Sequence, residues 1–88
     1  MVTETREHRI KRLRMRAMRR GIREMDLILS AWADIHLDAL PEDRLDLFDA
    51  LLSENDQDLY AWVTGRDPAP ERFAAMVDDV AQIFQKQG

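Results

Sequence analysis

The sequence predicts an all-α fold, a small single-domain bundle of about five short helices, and three observations carry that prediction. Apolar residues recur at spacings of three and four through successive segments. No stretch alternates apolar and polar residues with period two. The breaks between segments hold helix-starting and helix-stopping residues: Gly21, Pro41, Asn55, Gly65, Pro68 and Pro70. With 88 residues there is room for one core only. The expected organisation is a single helical domain over 1–88, in which 1–17 form a basic N-terminal helix with fraying outer turns and 18–88 the core bundle. A hydrophobic content of 45% is too high for a chain disordered throughout.

The first segment, Thr3 to Met18, offers a thin apolar seam of Ile10, Leu13 and Ala17, ringed by arginines at 6, 9, 12, 14 and 16. So narrow a seam predicts weak docking. From Ile22 the pattern strengthens: Met25, Ile28, Leu29, Trp32 and His36 share one face, with Ile35 at its edge. Leu27 falls on the polar side, which predicts a covering helix or a partner there. The pattern fades at Leu37 to Leu40, and Pro41 suits the first position of the next helix, whose stripe is Leu45, Phe48, Leu51 and Leu52. Asn55 or Asp56 caps a short fourth helix carrying Leu59, Tyr60, Trp62 and Val63, and Gly65 ends it. Tyr60 and Trp62 are expected chiefly in the core. Asp67-Pro68-Ala69-Pro70 is a stiff connector. The last helix starts near Pro70 with Phe73, Met76, Val77, Val80, Ile83 and Phe84 inward.

Charge is unevenly spread. Residues 1–23 carry nine Lys/Arg against two acids, a net of +7, and residues 24–88 carry four against fifteen, a net of −11. Such asymmetry predicts a charged partner. As a nucleic-acid element the basic segment lacks interleaved aromatics, and the acidic body would repel phosphates; its apolar face is too narrow for membrane insertion. A solvated basic helix partly paired with the acidic body is the better reading. The absence of cysteine removes disulfides, thiolate nucleophiles and thiolate metal sites. No apolar run approaches the length of a transmembrane helix. The Arg-rich start contains Glu4 and Glu7 and no serine, so it is read as mature protein rather than a targeting peptide. These features predict a bacterial, cytoplasmic protein.

No Gly-rich phosphate loop, Gly-x-Ser-x-Gly or His-Glu-x-x-His is present. Of the two histidines, His36 lies at the core edge and His8 in the basic arm, and neither has metal or catalytic company. No catalytic, metal or cofactor-binding residues are therefore assigned, and an enzyme is not expected.

What remains is Arg19-Arg20-Gly21-Ile22-Arg23-Glu24-Met25-Asp26, where the basic opening meets the acidic body. Each of its residues has a purely local role open to it. Gly21 could end the first helix, or cap the second with Glu24 at N3 of a partial capping box. Asp26 could serve the helix dipole. Arg20 could make an exposed ion pair worth at most about 1 kcal/mol.

This stretch, with Leu51-Leu52, Asp56-Gln57-Asp58-Leu59-Tyr60-Ala61-Trp62, Gly65 and the prolines 68 and 70, resembles the succinate dehydrogenase assembly factor family, also described as flavinylation factors, in its bacterial and mitochondrial types. The match runs from about Met18 to Val77. It departs mildly from the family at Ala31-Trp32-Ala33 and in a longer arm before Met18. The resemblance implies a five-helix bundle that binds the flavoprotein subunit of succinate dehydrogenase, or of fumarate reductase, and promotes covalent attachment of FAD to it. It implies an assembly chaperone, monomeric when free, that binds no FAD itself but acts on the FAD of its client. It moves Arg20, Gly21 and Glu24 toward client contact, and Arg19, Arg20, Gly21, Glu24 and Asp26 are the predicted partner-binding residues. The alternative is a small nucleic-acid-binding or regulatory protein that uses the basic arm.

Overall fold

The computed structural model describes residues 4–87. Five α-helices account for most of them: α1 (Arg6–Ala17), α2 (Arg23–His36), α3 (Glu42–Leu52), α4 (Asp56–Val63) and α5 (Ala74–Gln87). Single 3₁₀ turns, Leu37–Ala39 and Glu71–Phe73, close α2 and lead into α5. The all-α expectation holds, and no strand occurs among the described residues.

Local chemistry accounts for the boundaries. Thr5 caps α1 by accepting the His8 N–H at 3.1 Å, which satisfies one of the orphan donors of a helix start. Asn55 caps α4 in the same way, accepting from the Asp58 N–H at 3.1 Å. Gly65 has φ +81°, the left-handed conformation that terminates α4. Pro41 stands one position earlier than expected: its ψ of 164° is still extended, so it is the N-cap of α3 and Glu42 is the first helical residue. The connector into α5 is more gradual than a helix starting at Pro70, because Phe73 bonds back to the Pro70 carbonyl in a 3₁₀ turn before α5 begins.

α1 lies against α2 and α3, and α5 against α2 and α4. α2 is thus central, and its stripe of Met25, Ile28, Leu29 and Trp32 is buried as the spacing predicts. Trp32 sits between Phe48 and His36, with ring centroids 5.0 Å away on either side. His36 is half-buried at the core edge. The thin seam of α1 is nonetheless well enclosed, since Leu13 and Ala17 are wholly buried and Ile10 nearly so. Burial is shallower than expected elsewhere. Ile83, Phe84, Tyr60 and Trp62 are half-buried, packed against the core rather than inside it. α4 has only eight residues, too few to bury both faces, so the Trp62 ring lies over Phe73 at 6.1 Å instead. No helix covers Leu27, which is 54% exposed, and Ile35 is 62% exposed.

Candidate functional site: the α1–α2 junction

The chain leaves α1 at Met18 and re-enters a helix at Arg23. In those few residues it turns back on itself, and backbone donors there need partners. Side chains supply them. Asp26, in the first turn of α2, accepts the Arg20 backbone N–H. Asp56, at the first position of α4, accepts the Gly21 N–H with one carboxylate oxygen. Its other oxygen receives the Arg20 Nε at 2.6 Å.

The Arg20 guanidinium is the hub. Beyond Asp56 it donates from Nη1 to the Leu52 carbonyl at 2.6 Å and from Nη2 to the Glu54 carbonyl at 2.8 Å. These carbonyls lie at the C-terminal end of α3, where acceptors lack helical donors and a cation is favoured. A planar fork with fixed donors suits three acceptors in one plane, a task for which lysine is no substitute. The Arg20 side chain is only 10% exposed and that of Asp56 20%. The pair is therefore poorly screened, and removing either partner strands a charge.

Gly21 is a glycine for a steric reason. Its φ is not positive. A Cβ built on it would lie 2.7 Å from the Asp56 carboxylate oxygen. The close approach that a glycine permits is made here by the chain's own Asp56.

The predicted contact residues thus divide. Arg20 and Asp26 are turned inward and hold the junction, and the Arg20 pair is enclosed rather than exposed. Arg19, Gly21 and Glu24 are exposed. The local roles open to Gly21 and Glu24 are not the ones taken: Met18 is the C-cap of α1, and Ile22 is the N-cap of α2 with no side-chain cap. That places Glu24 at N2, and no capping box forms. Asp56 was missed as part of this site because a carboxylate after Asn55 reads equally well as a helix-start residue. The available signal was its place at the head of the Asp-Gln-Asp-Leu-Tyr-Ala-Trp block.

The basic arm is matched to α3. Arg6 pairs with Glu42 at 3.0 Å, Arg9 with Glu42 at 3.2 Å and with Asp46, Arg12 with Asp49 at 3.3 Å and with Glu4 at 2.9 Å, and Arg16 with Asp49. Arg14 faces Asp34 at 3.5 Å and Asp38 at 3.6 Å. Burial would raise the Asp49 carboxyl, but hydrogen bonds from Arg16 and Arg12 outweigh it and hold the group below its ordinary range. Among the described residues no three His, Cys, Asp or Glu side chains are grouped to hold a metal ion. No described helix is long and apolar enough to cross a membrane.

The two sequence blocks of this small helical bundle are thus locked together at one surface, with Arg19 and Glu24 left exposed beside the lock. A family model described as flavinator of succinate dehydrogenase matches residues 11–84. Relatives named mitochondrial succinate dehydrogenase assembly factor 2 are similar over most of the chain. The protein from Meyerozyma guilliermondii is 45% identical over 86 residues, 94% of this chain and 62% of that one. That from Mycosarcoma maydis is 46% identical over 72 residues, 82% of this chain and 30% of the relative. That from Schizosaccharomyces pombe is 36% identical over 83 residues, 94% and 56%. The chain belongs to the succinate dehydrogenase flavinator family, whose members act in assembly of that enzyme. It spans less than two thirds of the length of these relatives.

The relatives correct the expected location. Their names are mitochondrial and their sources fungal, which speaks against the expected bacterial cytoplasm. The expectation failed because its premises, the absence of cysteine, of a long apolar run and of a recognisable targeting peptide, do not specify a compartment.

Proposed function

We propose that this chain binds the flavoprotein subunit of succinate dehydrogenase, or of fumarate reductase, and promotes covalent attachment of FAD to it. The chain acts as a chaperone, monomeric when free; the FAD is the client's. Arg19, Gly21 and Glu24 meet the client, while Arg20 and Asp26 act through the junction they hold. The observation that carries this reading is the Arg20–Asp56 clasp. It joins the two motif blocks at the surface on which Glu24 stands exposed without a capping duty. A surface held in this way suits a positioning helper, since holding reacting groups in register is worth up to roughly 7–11 kcal/mol in favourable systems. The nucleic-acid alternative is weakened because Arg6, Arg9, Arg12, Arg14 and Arg16 already face carboxylates of this chain.

The test uses purified flavoprotein subunit lacking covalent flavin, incubated with FAD with and without this chain. Covalent flavin is followed by in-gel fluorescence and binding by pull-down. A stoichiometric complex and faster flavin attachment are expected. No complex, with flavin attached at the same rate, would overturn the proposal.

A further inference from the structure

Most cations of α1 are answered by carboxylates of this chain, but not all of them. The inner arginines are answered by Glu42, Asp46 and Asp49 of α3. On the outer face His8, Lys11, Arg12, Met15, Arg16 and Arg19 line a shallow open groove. Among the described residues no carboxylate lies within pairing distance of Lys11 or Arg19, although Arg12 and Arg16 beside them are bridged. Met15 between these cations is 44% exposed, and Met18 at the helix end 57% exposed. A cationic groove with an unbranched, polarizable side chain at its centre stands on a protein whose net charge is −4.

We propose that this groove docks an acidic segment of the client protein, with Lys11 and Arg19 meeting its carboxylates and Met15 receiving an apolar side chain between them. The proposal rests on the client-binding reading above and extends the client contact from Arg19 of the junction along α1 to Met15 and Lys11. Charge complementarity selects the occupant. The free cations are the two at the ends of the groove, and those between them are already part-neutralised, which suits separated carboxylates more than a continuous phosphate backbone. The groove also has no aromatic ring on which a base could stack. Methionine at its centre can adapt to whichever apolar side chain the segment brings.

Reversing Arg6, Arg9 and Arg12 would unfasten α1 from α3, whereas Lys11 and Arg19 can be changed with the fold intact. The test compares the parent, Lys11→Glu, Lys11→Glu/Arg19→Glu, and Arg44→Glu/Arg66→Glu for binding to the isolated flavoprotein subunit at low and high salt; Lys11→Glu leaves the junction's Arg19 in place and should by itself weaken binding at low salt. The control pair is exposed and makes the same change in net charge elsewhere. The groove variant should melt like the parent and bind roughly tenfold more weakly at low salt, with the gap narrowing as salt is raised. The control should bind within about twofold of the parent. Met15→Glu should weaken binding at both salt concentrations. Equal losses in the groove and control pairs would show a net-charge effect only and overturn the proposal. So would unchanged binding by all variants, which would leave client binding itself standing. A parent that fails to bind the subunit would remove the client reading as well. Retention of poly(U) RNA by the parent, abolished in the groove variant, would assign the groove to nucleic acid and overturn the proposal.

Discussion

The guanidinium of Arg20 and the carboxylate of Asp56, thirty-six positions apart in the chain, meet at 2.6 Å and tie the entrance of α2 to the start of α4. The same carboxylate holds the Gly21 N–H, and the same guanidinium closes the end of α3. One ion pair therefore fixes the relative placement of three helices and of the residues that stand exposed at their meeting point.

Because the pair is largely enclosed, Asp56→Ala should cost about 3–5 kcal/mol, the range for stranding one member of a buried ion pair. That is most of the stability expected of a domain this small, about 5 kcal/mol. Urea unfolding checks it. A midpoint within error of the parent would show that water replaces the carboxylate without loss.

Gly21→Ala should destabilise by about 1–3 kcal/mol, because the new Cβ displaces Asp56 and not because of backbone strain. The two changes should then be strongly non-additive. In an Asp56→Ala background the Gly21→Ala change should cost almost nothing. A double-mutant cycle by thermal melting reads this coupling directly, and simple additivity would place the cost in the backbone instead.

The helices and their stripes were legible in the sequence, because periodicity records which face is buried. The clasp was less so. Arg20 and Asp56 each had a local explanation, and nothing in one dimension says that a side chain reaches over thirty residues to take three acceptors at once. Leu27 and Ile35 mark a limit of the opposite kind. Their periodicity is visible, but whether an off-stripe apolar residue is covered depends on packing that the period does not encode, and here both remain exposed. Asn55 and Gly65 were readable for the reverse reason, since capping is settled within four residues.

Trp32 is 2% exposed, and its indole N–H has no acceptor among the described residues. Trp32→Ala should therefore cost about 3–5 kcal/mol through the lost ring volume. Trp32→Phe should cost only about 1 kcal/mol, because it keeps most of the volume and removes a buried donor with no partner. Calorimetric melting of both separates volume from hydrogen bonding. Equal losses would mean that the indole N–H is satisfied.

Asp49 predicts an acid limb. Its carboxyl is held below the ordinary value of 3.8 in the folded chain. Its contribution is therefore fully present above that value and is lost as pH falls through the folded one. Asp49→Asn should lower stability by about 1 kcal/mol near neutrality, less at high salt. It should also flatten the decline of stability below about pH 4, without altering the profile between about pH 6 and 8. Urea titrations across that range check the shape, and an unchanged acid limb would place the titrating carboxylate elsewhere.

The most direct measurement concerns Glu24, the exposed motif residue with no cap to serve and no ion pair among the described residues. Glu24→Ala is to be melted by circular dichroism and, in parallel, added to the flavoprotein subunit with FAD. A melting temperature within about 2 °C of the parent, together with loss of most of the stimulated flavin attachment, is the predicted result; a ΔΔG of 1 kcal/mol would already shift a domain of this size by roughly 4–8 °C. A folded variant that still drives flavin attachment at the parent rate would contradict the claim that this junction is the surface the client reads.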